Sequence, residues 1–255
     1  MKVSQIIFSP TGGTAKVADI ITDTWGMPVS KIDLSNPEMD SSSLNIEKEE
    51  IAIIAIPSFG GRVPGLAARR IANIHGNQAP CVIVCVYGNR AYEDTLIELQ
   101  DLAEKSGFKV IAAIAAIAEH SIMHQYAAGR PDEQDKSELV SFAQKILEKI
   151  NGNSAEPSTP QIPGNRPYKK AGGGGLVPKA GNGCTNCGLC ARQCPAQAIS
   201  LENPKETDSK KCISCMRCTV LCPQSARKLN SAMVSAAALA MKKACSARKE
   251  NELYL

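Results

Sequence analysis

No stretch of this 255-residue sequence is apolar for long enough to cross a bilayer. The longest strongly apolar run, residues 110–118, falls far short of the roughly 20 residues that a spanning helix needs. The opening Met1-Lys2-Val3-Ser4-Gln5-Ile6-Ile7-Phe8 is too short for the apolar region of a secretory leader and runs straight into a polar loop, so the cytoplasm is the expected compartment. The basic residues have no aromatic platform among them, which argues against a nucleic-acid surface. Neither Gly-x-Gly-x-x-Gly nor a phosphate loop ending in Gly-Lys-Ser/Thr occurs, so direct nicotinamide oxidation and Walker-type nucleotide chemistry are not expected. Histidine is scarce, at three residues. His120 and His124 stand four apart but lack a third ligand nearby, and His75 ends a helix, where its partial charge is favourable.

What is present in excess is cysteine. Eleven cysteines in a reducing compartment read as metal ligands rather than bridges. Eight fall into one pattern written twice, 28 residues apart: Cys184-x2-Cys187-x2-Cys190-x3-Cys194-Pro195, then Cys212-x2-Cys215-x2-Cys218-x3-Cys222-Pro223. Three thiolates at two-residue gaps can wrap one iron–sulfur cubane, while the fourth, set off by three residues and a proline turn, reaches the other cluster. By that rule Cys184, Cys187, Cys190 and Cys222 hold one [4Fe–4S] cluster, and Cys212, Cys215, Cys218 and Cys194 hold the second. A zinc site pairs two short knuckles and needs neither the third cysteine nor the Cys-Pro of each half. Cys81 and Cys85 sit in an apolar, strand-like run and read as core; Cys245 has no evident partner. Residues 180–230, including Ala198-Ile199 after the first Cys-Pro, resemble a bacterial two-cluster ferredoxin.

Charge divides the chain at about the same place. Residues 1–150 carry 14 Lys and Arg against 19 Asp and Glu, a net −5, whereas residues 151–255 carry 15 against 6, a net +9. Cluster thiolates offset part of that excess, leaving a mildly basic cluster domain beside an acidic one. Charge balance of this kind speaks to association, not to fold.

The acidic part alternates strand and helix. Strands are expected at 3–8, 29–34, 51–56, 81–87 and 110–117, and helices at 13–25, 64–74, 91–106 and 132–150, the last with Leu139, Phe142, Ile146 and Ile150 on one face. Residues 36–50 are polar, so any helix there is short. Ile- and Val-rich strands imply a parallel sheet covered on both faces. Ligands of such sheets lie at the strand C-terminal ends, where three loops draw attention. Ser9-Pro10-Thr11-Gly12-Gly13-Thr14 is either a phosphate cradle at a helix N-terminus or only a tight turn and cap. The other two are Pro57-Ser58-Phe59-Gly60-Gly61-Arg62-Val63-Pro64 and Tyr87-Gly88-Asn89-Arg90-Ala91-Tyr92.

Together these loops resemble those of the flavodoxin family. The resemblance implies a doubly wound five-stranded parallel sheet of order 2-1-3-4-5 with FMN as cofactor. Carried onto this chain, Ser9, Thr11, Gly12, Gly13 and Thr14 would hold the phosphate; Ser58, Phe59, Gly60 and Gly61 would line the isoalloxazine; Tyr87, Gly88, Asn89, Arg90 and Tyr92 would form the other wall. Arg90 is either a cation raising the flavin potential or a surface residue flanking a helix. Glu119-His120-Ser121 could reach the flavin edge as a proton source.

Four segments are thus expected: a flavodoxin-like domain at 1–150, a Pro/Gly-rich connector at 151–179 with hinge freedom unless it packs down, a small α+β two-cluster domain at 180–230, and a C-terminal helix and tail at 231–255. The helix is expected over 230–249, with Met233, Val234, Ala237, Met241 and Ala244 packing on one of the domains. The order resembles flavodoxin–ferredoxin fusion proteins of anaerobes. That resemblance implies an iron–sulfur flavoprotein linking one-electron carriers to a one- or two-electron acceptor, with redox proteins as partners. An FMN-dependent reductase of a quinone-like or other small electrophile is the alternative; no membrane insertion or nucleic-acid partner is expected.

Overall fold

The computed structural model describes residues 1–152, 158–172 and 175–255. Residues 153–157, Gly173 and Gly174, part of the expected connector, lie outside the described residues. The first 152 residues alternate β1 (Val3–Ile7), α1 (Gly13–Trp25), β2 (Val29–Asp33), β3 (Ile51–Pro57), α2 (Gly65–Ile71), β4 (Pro80–Tyr87), α3 (Thr95–Lys105), β5 (Lys109–Ile117) and α4 (Glu133–Asn151). The five strands are parallel neighbours in the order β2-β1-β3-β4-β5. That is the flavodoxin-like order, with its switch point between β1 and β3. Residues 36–50 hold no helix and return to β3 as turns.

Strand period decides which side chains face which layer. Along β3, Ala52, Ile54 and Ile56 join the core under α2 and α3, while Ile51, Ile53 and Ala55 join the core under α1 and α4. Both faces are dry, which is why these strands read as continuous apolar runs. Trp25 closes the α1–α4 layer, its Nε1–H donating to the Ala143 carbonyl at 2.9 Å. Cys81 and Cys85 are fully buried core residues. Asp132 caps α4 in a reciprocal capping box with Asp135.

The second part begins with β6 (Lys179–Ala180), then α5 (Leu189–Arg192), α6 (Arg217–Val220) and β7 (Arg227–Lys228), which pairs antiparallel with β6. The 28-residue repeat is structural as well. α5 and α6 are one repeat apart, and each follows a left-handed residue, Gly188 and Met216.

The C-terminus departs from the expected helix and tail. After α7 (Ser231–Cys245), the chain returns to the first domain and adds β8 (Glu252–Tyr254) antiparallel to β5, giving the sheet a sixth strand. The return is held by buried polar groups. Asn251 accepts from the Ile117 N–H at 2.9 Å and donates to Asp135 at 3.0 Å and Glu138 at 2.7 Å. Arg130 donates to both Asp135 and the Lys249 carbonyl. Three residues are a short strand, so these bonds rather than the ladder hold the segment.

The described part of the connector packs down along α3. Asn165 donates to Asp94, Arg166 and Tyr168 both reach Asp101, and the Lys169 N–H donates to Asp94 at 2.7 Å. These bonds tie that stretch to the first domain.

Candidate cofactor sites

A cavity of about 850 Å3 opens at the C-terminal ends of β1, β3, β4 and β5. Its size suits a bound cofactor of FMN's class. Pro10, Thr11, Gly13 and Thr14 form one end. Gly12 caps α1 in a left-handed conformation with no capping side chain, and no acidic residue stands in the first turn, so the positive helix end is left for an anion. Ser9 lies behind this loop: its hydroxyl accepts from the Ala15 N–H at 2.9 Å and its own N–H donates to Ser35. Ser9 and Gly12 therefore shape the loop without lining the cavity.

Ser58, Phe59, Gly60 and Gly61 line one side. Phe59 and Arg62 exchange backbone hydrogen bonds around Gly60 (φ 61°) and Gly61 (φ 81°), a tight turn that requires positive φ at both central residues. The space is as restrictive as the dihedral, since a Cβ on Gly60 would meet the Gly172 carbonyl oxygen at 1.9 Å. Arg62 fixes the turn with two bonds to Glu98, at 2.7 and 2.8 Å, and stands over the Tyr168 ring.

Tyr87, Gly88 and Arg90 line the other side, but Asn89 and Tyr92 do not. Asn89 is buried and points away, donating to the carbonyls of Cys245 and Ala247 at 2.8 Å each and accepting from the Lys249 N–H at 3.2 Å. Tyr92 packs edge-on against Tyr87 and hydrogen-bonds Glu252 and Tyr254 of β8. Burial, then the bonds to Tyr254 and Glu252, push its hydroxyl pKa upward. Expected as flavin contacts, both residues anchor the C-terminal return instead, Asn89 through the segment between α7 and β8 and Tyr92 through β8 itself. Arg90 pairs with Glu93 at 2.9 Å, which is shared with Lys169. That carboxylate offsets much of the cation's influence.

His120 also lines the cavity. Its Nδ1 accepts from the N–H groups of Ile122 and Met123, so the neutral ring carries its proton on Nε2. Burial, helped by His124 and Arg90, lowers its pKa. His124 lies outside the cavity and meets Glu119 at 2.6 Å.

The rest of the cavity was not legible as a site. Ala171, Gly172 and Leu176 of the connector and Met233, Ala237 and Met241 of α7 complete its enclosure. The methionine spacing marked a packing face, though not what it would cover. Cys212, Ile213, Ser214 and Cys215 enclose it further. Ser214 Oγ is buried with no hydrogen-bond partner among the described residues, a donor that a group in the cavity could satisfy.

Two smaller cavities separate the eight cysteines. Cys194, Cys212, Cys215 and Cys218 surround one; Cys184, Cys187, Cys190 and Cys222 surround the other. The Ala198 N–H donates to Cys194 Sγ and the Ala226 N–H to Cys222 Sγ, each at 3.3 Å. Burial pushes the Cys215 thiol up to about 11 and the Cys218 thiol up to about 12. Bound iron would hold both as thiolates. Burial would also raise Cys222, but N–H groups of Ala226, Gln224 and Arg227 outweigh it and its pKa falls. An all-thiolate donor set fits iron–sulfur clusters.

Residues 183–227 match the family of 4Fe–4S dicluster domains. One component of an ion-translocating oxidoreductase complex from Methanosarcina acetivorans is 44% identical over 48 residues, 18% of this chain and 18% of that protein. A trichloroethene reductive dehalogenase from Dehalococcoides mccartyi is 38% identical over 55 residues, 16% of this chain and 10% of that protein. The chain thus spans less than a fifth of either relative. Among solved structures, a Streptococcus pneumoniae flavodoxin covers 58% of this chain and 99% of its own at 19% identity, with a TM-score of 0.45. At that score the likeness adds nothing to the strand order, which carries the fold assignment alone. The chain thus joins an α/β domain of flavodoxin-like strand order, in its first 152 residues, to a 4Fe–4S dicluster domain at 183–227.

Proposed function

We propose that this protein passes electrons between an external one-electron carrier and an FMN held in the large cavity, by way of two [4Fe–4S] clusters. One observation carries the reading: the cavity walled by Thr11, Phe59 and Tyr87 is also walled by Cys212 and Cys215. The cluster of Cys194, Cys212, Cys215 and Cys218 is then the inner one, beside the flavin, and that of Cys184, Cys187, Cys190 and Cys222 the outer one. FMN supplies a centre that takes electrons singly or in pairs, whereas a cluster takes one.

The chain's own residues do the binding and orienting. The α1 N-terminus and the Thr11 and Thr14 hydroxyls would receive the phosphate, and the Phe59 turn and Tyr87-Gly88 would face the ring system. Met241 and Leu176 would limit water on that side, which strengthens each polar contact inside. His120 holds a proton at Nε2 on the cavity wall, available to a group that is reduced there.

That proton and the enclosure favour a second reading, reduction of a small molecule at the flavin. Steady turnover of a quinone with a chemical reductant would support it, and a rate no higher than without protein would count against it. The primary reading is tested on protein isolated without oxygen, by counting iron, sulfide and flavin per chain. About eight irons, eight sulfides and one FMN are expected. Full clusters with no flavin retained after added FMN would refute the flavin assignment.

A further inference from the structure

The 28-residue repeat extends to backbone conformation: Asn186 and Ser214, and Gln197 and Ser225, are matched positions of positive φ. One side chain breaks the symmetry. Ile199, after the first Cys-Pro, is buried and packs with Cys190, Ala191, Cys194 and Cys218. Its counterpart after the second Cys-Pro is Arg227, which is only 3% exposed. Arg227 Nε donates to Cys190 Sγ at 3.3 Å, Nη1 to the Pro178 carbonyl at 3.0 Å and Thr207 Oγ1 at 2.8 Å, and Nη2 to the Pro204 carbonyl. All of these protein acceptors except the sulfur are neutral. A guanidinium does not lose its proton in a protein, and a buried charge is costly unless a counter-charge stands beside it. The thiolate set is the counter-charge in reach.

Arg227 meets the two sets unequally. It lines the cavity of Cys184, Cys187, Cys190 and Cys222 and donates to one of its sulfurs. The cation lining the other cavity, Arg217, instead donates to Gln193 and stands 3.8 Å from Asp33. We propose that Arg227 makes the two clusters inequivalent, holding the outer one at the higher reduction potential; this rests on the two-cluster assignment. One added electron makes a thiolate-ligated cluster more negative. A fixed cation donating to a ligand sulfur stabilises that reduced state more than the oxidised one. The outer set contributes no cysteine to the flavin cavity, and its Cys187 is exposed. A single electron from an external low-potential donor therefore comes to rest on the outer cluster. Onward transfer to the inner cluster is uphill, and it is completed only as the electron is drawn on from there to an acceptor of higher potential in the cavity.

The test is a redox titration of the fully loaded chain with dithionite as the electron source, followed by EPR. Two separated one-electron steps are expected in the unaltered protein. Arg227→Met should lower the upper step by a tenfold or larger change in equilibrium constant, about 59 mV for one electron, and move the lower step less. Arg227→Gln, which removes the charge but keeps amide donors, serves if the methionine variant fails to load. Coincident steps in the unaltered protein would overturn the proposal. So would an upper step unmoved in either neutral variant that retains about eight irons. An unaltered chain holding about four irons or fewer would refute the two-cluster assignment itself, and that count precedes the titration.

Discussion

Asn89 separates two accounts of the loop after β4. As a flavin contact, its loss would weaken FMN and leave the C-terminus alone. As a clamp, its loss would release the segment that carries β8. The informative substitution is Asn89→Gly, because Asn89 has φ 66° and glycine tolerates that conformation where alanine would add strain. The change removes two bonds to the Cys245 and Ala247 carbonyls and one from the Lys249 N–H. At about 1 kcal/mol for each neutral bond, with a further penalty for the buried Cys245 carbonyl, the cost is about 3–4 kcal/mol. Hydrogen exchange over residues 245–254 reads this locally, avoiding a two-state assumption that a multi-cofactor chain does not meet. Exchange there should quicken by about 100- to 1,000-fold, since each 1.4 kcal/mol is a factor of ten. Exchange changed by less than about threefold, together with a weakened FMN, would refute the clamp and restore the flavin contact.

Three further outcomes follow from the geometry. Gly60→Ala places a methyl group against the Gly172 carbonyl at a residue with positive φ; a loss of about 1–3 kcal/mol is expected, with a flavin more readily quenched by iodide as the connector lifts, and unaltered quenching would contradict it. Ser214→Gly removes the unpartnered hydroxyl at a position of φ 54°; FMN retention should weaken by about 3- to 10-fold, the value of one hydrogen bond, and equal affinity by dialysis would show that the hydroxyl does not serve the flavin. The pKa of His120 is depressed by burial, so the unfolded chain takes up its proton first as pH falls. Its contribution to stability is complete above about pH 6.5 and declines below that toward the lower folded value. His120→Gln should flatten that part of the stability–pH curve; an unchanged slope would place the titrating group elsewhere.

Much of the site was legible because its logic is local. The thiolate spacing lies within two short segments, and each Cys-Pro marks where the fourth ligand leaves its loop. Thr11, Phe59, Gly60, Tyr87 and Gly88 line the cavity because each lies at or just past the end of a buried strand, and strand ends converge at a switch point. Asn89 and Tyr92 belong to the same loop but lie outside the cavity, Asn89 bonded to residues 245–249 and Tyr92 to β8. Nothing in Glu252-Leu253-Tyr254 announces a strand, since three residues cannot show a period. The polar anchors Asn251 and Arg130 act through partners more than 100 positions away. Likewise, glycines and prolines between 151 and 179 suggest freedom, whereas Asp94 and Asp101 on the neighbouring domain bind Asn165, Arg166 and Lys169.

The sequence by itself determined the inventory: a parallel α/β domain, two sets of four thiolates, a helix N-terminus open to an anion, and a repeat of 28 residues. These follow from periodicity, spacing and residue chemistry, which need no knowledge of neighbours. Only the tertiary structure decided how the parts address one another. It set Ile213 and Ser214 against the cavity, folded α7 across it, and closed the sheet edge with β8. It also buried Arg227 with its Nε on a sulfur of one thiolate set. Such relations are set by which surfaces find complementary apolar area and unpaired polar groups once the chain is compact. That information is distributed over both domains and resides in no single segment.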